Sequence, residues 1–185
     1  MIIEGLILIV ANSVFWIVVS FAWGYLCHFI PFSFYNIKNP IFKKRFWELE
    51  GKLYEKFFFV KYWKDIMPEA GELIKIHPFN KKKLISKEKS YIERFIIETC
   101  RAELVHILIF LSTPFAFLFN PPIGDYITAA YGILANIPFI IIQRYNRIRL
   151  VRVLEKIEKK KCIKEFKEQN ESLCNRKTQF SRWCF

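Results

Sequence analysis

One junction constrains this chain more than any other: a polar cluster pressed against an apolar run. The string ETCRAELVH (98–106) leads directly into residues 107–119, which are apolar, aromatic and able to enter a membrane. Soluble loops are not built this way. If the run spans, Glu103 and His106 lie at the start of a transmembrane helix, where an unpaired charge is costly. Ionisable groups are kept there mainly when they pair or carry function. Three residues separate the two, so both project from one helical face. A carboxylate beside an imidazole can act as a general-base pair that activates a hydroxyl.

The rest of the chain fits a small membrane protein with a basic cytosolic part. Hydrophobic residues make up 53%, too many for an ordinary soluble domain, and charged residues 25%, too many for a wholly buried one. The net charge of +12 sits beside the apolar runs. Attraction to anionic headgroups accounts for it, and no nucleic-acid partner is expected. The five cysteines form no CxxC pair, so they read as free thiols. The histidines at 28, 77 and 106 are scattered, and no metal site is expected.

A first span is expected over about 3–29. It is too long for a signal peptide, lacks a basic leader and meets no cleavage site. Residues 41–66 carry Phe42, Phe46, Leu49, Leu53 and Phe57 at helical steps among lysines. That pattern predicts an amphipathic helix lying in the headgroup plane. Residues 67–90 are broken by Pro68, Gly71 and Pro78. A further helix starts near Lys87, with Ser86 or Ser90 as candidate N-caps, and runs into a second span over about 102–119. Pro114 is a candidate kink. Residues 120–125 form a tight turn, and a third span covers about 126–142. The expected fold is therefore an all-α integral membrane protein with three transmembrane helices and interfacial amphipathic helices. Residues 1–160 form one membrane-embedded domain, and 161–185 a basic tail whose end is weakly structured.

Charge sets the expected topology. Residues 28–101 carry 16 Lys+Arg against 9 Asp+Glu, and residues 143–185 carry 13 against 5. The N-terminal flank and the 120–125 turn carry only Glu4 and Asp125. The positive-inside rule places the N-terminus outside and the C-terminus in the cytosol of a multi-pass cell-membrane protein. His106 and Gln143 then meet at the cytosolic face.

Glu98, His106 and Glu103 fall within an arc of about 140° on a helical wheel, with His106 between the carboxylates. Either carboxylate can orient His106, and Arg101 can hold an anion. Asn136, Gln143 and Arg147 line one stripe if the helix continues through Pro138. Arg144, Arg147 and Arg149 can grip phosphate or carboxylate with planar forks, and Gln143, Tyr145 and Asn146 between them favour recognition over plain anchoring. Trp63-Lys64 closes the 41–66 helix. No phosphate-binding Gly loop, Gly-x-Ser-x-Gly or His-x4-Asp run occurs. Cys100, next to Arg101, reads as a packed thiol.

Three strings carry a family resemblance: VKYWKDIMPE (60–69), IIETCRAELVH (96–106) and ILANIPFIIIQRYNRIRL (133–150). In order, spacing and wording they resemble the glycosyl-4,4'-diaponeurosporenoate acyltransferases, small bacterial membrane enzymes of staphyloxanthin-type carotenoid synthesis. The resemblance covers about residues 10–155. The tail after about 160 and the LIKIHPFNKKKL stretch (73–84) depart from it. It implies transfer of a fatty acyl chain onto a sugar hydroxyl of a membrane glycolipid. The matching positions are Trp63, Lys64, Glu98, Arg101, Glu103, His106, Asn136, Gln143, Arg144, Asn146, Arg147 and Arg149.

Combining the two readings, His106, Glu103 and Glu98 are the expected catalytic residues, and the other matching positions bind substrate. His106 deprotonates the acceptor hydroxyl, and Arg144, Arg147 or Arg101 meets the donor's phosphates or the developing oxyanion. The partners are membrane lipids, the glycolipid acceptor and an acyl donor. That donor is acyl-CoA or another acyl thioester, and no further cofactor is expected. The competing reading is a non-catalytic protein that binds anionic lipids or scaffolds an enzyme.

Overall fold

The computed structural model describes residues 2–67, 86 and 88–181, with side chains as far as residue 170. The order is α1 (Ile2–Leu26), two 3-10 turns (Phe32–Phe34 and Phe46–Gly51), α2 (Lys52–Lys56), α3 (Val60–Trp63), α4 (Lys89–Leu111), α5 (Thr113–Ala116) and α6 (Pro122–Ser181). No strand occurs among the described residues. The stretches Pro68-Glu69 and LIKIHPFNKKKL lie outside the described residues.

α1 is apolar on every face and about 37 Å long, more than the roughly 30 Å of a hydrocarbon core. Ile7, Val10, Val14 and Phe21 stay exposed on it, so the rest of the protein covers little of its surface. Two described helices are long and apolar enough to cross a membrane: α1 through Ile3–Leu26, and α6 within Pro122–Asn170.

The expected second span, over 102–119, is not a helix of that kind. α4 begins far back among Lys89, Glu93 and Arg94 and stops at Leu111. Only about 15 Å of it follows residue 101. The chain then turns at Ser112 into the four-residue α5, which Pro114 enters at its start. A proline at a first turn loses no helical hydrogen bond there, whereas inside a continuous helix it would. Pro114 therefore marks a break rather than a kink. At the other end Glu88 occupies the N-cap of α4, and Ser86 accepts from the Glu88 N–H (3.1 Å) ahead of the helix.

The expected interfacial helix over 41–66 is also corrected. The segment is a string of short turns because Leu49, Glu50 and Phe59 adopt positive φ (47°, 58° and 50°). Gly51 follows at φ 82°, packed against Tyr145, Ile148 and Arg152 of α6. Three left-handed residues in succession, two of them with side chains, reverse the chain at 49–51. The reversal carries Glu48 inward, to 0% exposure. The hydrophobic face that a helix would have formed is scattered, and Phe46, Phe57, Tyr62 and Ile66 are exposed.

α4 and α6 form the main packing pair and run antiparallel: His106 meets Asn136, Glu103 meets Arg144, and Ile96 packs with Leu150. α6 passes Pro138 without interruption, so Asn136, Gln143 and Arg147 do share a stripe. It also continues as a helix to Ser181, where weak structure was expected. α1 joins the pair through Trp16 on Tyr131 (ring centroids 5.1 Å) and Trp23 Nε1 donating to Ser112 Oγ (2.9 Å). Gly132 permits this approach. A Cβ there would lie 2.5 Å from Thr113 Oγ1 and 3.3 Å from the Trp16 ring.

Candidate functional site

The seam between α4 and α6 holds a buried ionic chain. Arg144 stands at its centre. Its Nε donates to Glu48 Oε1 (2.9 Å) and its Nη1 to Glu103 Oε1 (2.8 Å). The same guanidinium donates to the carbonyls of Ile41 (3.1 Å) and Lys43 (3.2 Å). Arg147 Nη2 lies 2.5 Å from Glu103 Oε2, an ion pair rather than an aligned hydrogen bond, and its guanidinium covers the Phe42 ring (5.6 Å). Glu48 and Glu103 are fully buried. Burying an isolated carboxylate is prohibitive, and a paired one is tolerated only when its oxygens are satisfied.

Glu48 is the clearest case. Burial raises its carboxyl, but hydrogen bonds from Arg144, from the Tyr54 hydroxyl (2.5 Å) and from the Arg45 N–H outweigh that, and it stays below the usual carboxylate range. Tyr54 is pushed the other way, first by burial and then by donating to the charged Glu48. Both groups therefore stay in one protonation state at neutral pH.

His106 lies farther along the seam. Its ring stacks on Phe139 (4.5 Å, 7° between planes), and its Nδ1 lies 3.1 Å from Asn136 Oδ1. Asn136 Nδ2 donates to the Gly132 carbonyl (3.0 Å), which fixes Oδ1 towards the ring. An amide oxygen can only accept, so this contact calls for the tautomer that carries its proton on Nδ1, in which Nε2 is the basic nitrogen. The expected pairing of Glu103 with His106 is thus replaced: Asn136 orients the imidazole, and Glu103 pairs with two arginines.

Glu98 and Arg101 face elsewhere. Arg101 Nη1 donates to Glu98 Oε2 (3.1 Å) and to His28 Nδ1 (3.1 Å), and its guanidinium lies over Phe32 (5.4 Å) and Tyr35 (5.6 Å). This cluster packs against the exit from α1. The buried Tyr35 and Phe42, whose centroids are 6.1 Å apart, carry Arg101 and Arg147 respectively. The 140° arc seen on the wheel is therefore split between two neighbours: α6 takes Glu103 and His106, and the α1 exit takes Glu98.

Of the remaining expected residues, Trp63, Lys64, Asn146 and Arg149 fall at the rim. Trp63 Nε1 donates to the Phe58 carbonyl (2.7 Å), and Lys64 pairs with Asp65 (2.5 Å). Arg149 is exposed over the Tyr145 ring (5.4 Å), and Asn146 is half-buried. Gln143 is buried in the seam, and its Oε1 has no partner, nor has Arg147 Nη1. Cys100 is sealed with Cys27, Tyr35, Phe42 and Leu104, as a packed thiol should be. Among the described residues no cluster of ligating side chains could hold a metal ion.

Sequence reasoning missed Glu48, Tyr54 and His28. A helical reading of 41–66 puts Glu48 on the solvent side. The available signal was Gly51, three residues on, which marks a reversal.

Comparison with known proteins bears on this same segment. A family model described as glycosyl-4,4'-diaponeurosporenoate acyltransferase matches residues 38–156, from the approach to Glu48 to beyond Arg149. A protein of that name from Staphylococcus aureus (strain Newman) is 35% identical over 150 residues, covering 80% of this chain and 88% of the relative. Its counterpart in strain bovine RF122 / ET3-1 is 34% identical with the same coverage. No solved structure matches.

Proposed function

The chain belongs to the glycosyl-4,4'-diaponeurosporenoate acyltransferase family, and we propose that it moves a fatty acyl chain from an acyl thioester to a sugar hydroxyl of a glycosylated carotenoid or related glycolipid. The observation that carries the mechanism is the Asn136–His106 pair, which leaves Nε2 as the base.

In the proposed step His106 Nε2 takes the proton of the sugar hydroxyl as the oxygen attacks the thioester carbonyl. The carbon–oxygen bond forms and the carbon–sulfur bond breaks. The thiolate leaves and recovers the proton from His106. Asn136 holds the ring and its tautomer throughout. Glu103 is instead engaged by the guanidiniums of Arg144 and Arg147. Its role is to fix Arg144 and Arg147. Glu98 and Arg101 hold the α1 exit against α4.

α1 and α6 run in the same direction, since Asn12 meets Thr128 and Trp16 meets Tyr131. In the proposed topology both cross the cell membrane, with the N-terminus outside and the C-terminus cytosolic. The broken α4–α5 segment brings the chain back between them. Its polar side chains turn inward to α1 and α6. The thioester donor approaches from the cytosolic rim, where exposed cations such as Arg149 can meet its phosphates.

The test is lipid mass spectrometry of cells that make a glycosylated carotenoid, with and without this chain. A glycolipid heavier by one acyl group, present only with the chain, is the expected result. An unchanged acceptor pool in cells that accumulate both the glycoside and the protein would overturn the reading.

A further inference from the structure

The seam is electrically closed. Glu48 and Glu103 balance Arg144 and Arg147, and Arg144 is engaged by two carboxylates and two carbonyls. Several buried polar atoms among the described residues nevertheless lack a hydrogen-bond partner, and three belong to this seam. Glu103 Oε2 is ion-paired with Arg147, whereas Gln143 Oε1 and Arg147 Nη1 have no such compensation. Residues Gln143 and Arg147 are only 9% and 3% exposed. They sit four residues apart on α6, one turn from each other, on the stripe that Asn136 continues towards His106. One is an acceptor and the other a donor.

Buried polar atoms are normally satisfied, and a donor and an acceptor left over one helical turn apart on the same stripe point to a ligand. An anion answers only half of it. It accepts from Arg147, but it faces the Gln143 carbonyl oxygen, and a neutral seam offers it no net charge. A hydroxyl donates and accepts at once. We infer that Gln143 and Arg147 form the subsite for the sugar of the acceptor and do not receive the donor's phosphates. This rests on the acyl-transfer reading above and reverses the phosphate-gripping role that the sequence alone suggests for Arg147. The sugar then lies in the seam with one hydroxyl directed towards His106. The phosphates of the donor stay at the exposed rim.

The experiment uses the full chain in phosphatidylcholine nanodiscs and a photoreactive glucosyl lipid as probe, so no turnover is needed. Unlabelled glucosyl lipid is expected to suppress crosslinking, and phosphatidic acid with the same tails to leave it unchanged at about tenfold higher concentration. Gln143→Met keeps the volume and removes the acceptor, so its labelling is expected to fall by about fivefold. Phosphatidic acid competing as well as the glucosyl lipid, in the wild-type chain, would overturn the subsite whatever the variant does. So would Gln143→Met labelling at the wild-type level. Selective labelling without any ester formed from a supplied thioester would retire acyl transfer and keep the subsite.

Discussion

Two polar clusters inside this apolar bundle solve one problem in opposite ways. At the 120 turn, Asn12 and Asn120 exchange amide hydrogen bonds (2.8 and 3.0 Å), and Thr128 donates to Asn12 (3.1 Å). Their spare donors go to the Leu8 and Ala116 carbonyls. Those three side chains are saturated and uncharged, although Asp125 Oδ1 in the same turn is buried without a partner. In the α4–α6 seam the charges cancel, but Gln143 and Arg147 each keep one buried atom without a partner. A saturated cluster holds helices together and gains nothing from a ligand. An unsaturated one is less stable alone and becomes complete on binding. Polarity within an apolar bundle does not by itself mark a ligand site.

The comparison can be broken first at His106. His106→Ala should cost about 10²- to 10⁴-fold in ester formation while the protein still inserts at normal levels. Quantifying the product against membrane-bound protein checks both. Next is Glu103→Ala, which leaves two buried guanidiniums short of a counter-ion. It should destabilise the bundle by about 3–5 kcal/mol, seen as loss of folded protein in a thermal-shift series. The hydrophobic pair Glu103→Leu with Arg147→Leu should recover much of that stability and none of the activity.

Steric and neutral-polar changes come lower. Gly132→Ala drives a methyl to 2.5 Å from Thr113 Oγ1 and should cost about 1–3 kcal/mol. Asn120→Leu opens the saturated cluster and should cost about 0.6–2 kcal/mol, with the acceptor KM unchanged. A large rise in that KM would erase the contrast between the two clusters.

The smallest effect concerns pH. The Glu48 carboxyl is held below its ordinary value of 4.5, so its contribution is present in full above that value and lost as pH falls through the lower folded value. Stability measured between about pH 5 and 8 should show no step from Glu48. Glu48→Gln sharpens this, because it gives the seam a net positive charge. Phosphatidic acid should then compete for the sugar probe where it did not before.

Much of this was legible in the sequence, for reasons tied to particular residues. α1 announces itself by unbroken apolarity, and the 136–143–147 stripe by helical spacing that Pro138 does not interrupt. That Glu103 and His106 face a neighbouring helix follows from charge beside apolar residues. Their partners do not. A wheel gives angles on one helix and is silent about which neighbour lies at each angle, so Glu98 and Glu103 look alike until α1 and α6 divide them. The 41–66 segment misleads for a different reason. Its helical period is real, but tertiary pairing of Glu48 with Arg144 offsets the cost of left-handed Leu49 and Glu50, and local pattern cannot foresee that. The apolar count over 102–119 likewise hides the break at Ser112, which Trp23 stabilises from another helix.

The most direct test of the central claim is the initial rate of ester formation by purified chain in nanodiscs, with glycolipid acceptor and acyl thioester supplied. Wild type, His106→Ala and Asn136→Leu are compared at equal folded protein. The account predicts a rate at least about 10²-fold lower for His106→Ala. It predicts a reduced rate for Asn136→Leu, with the acceptor KM little changed, because orientation of the base is lost and the sugar subsite is not. A His106→Ala rate within about twofold of wild type, far from the 10²-fold that a general base supplies, would contradict it.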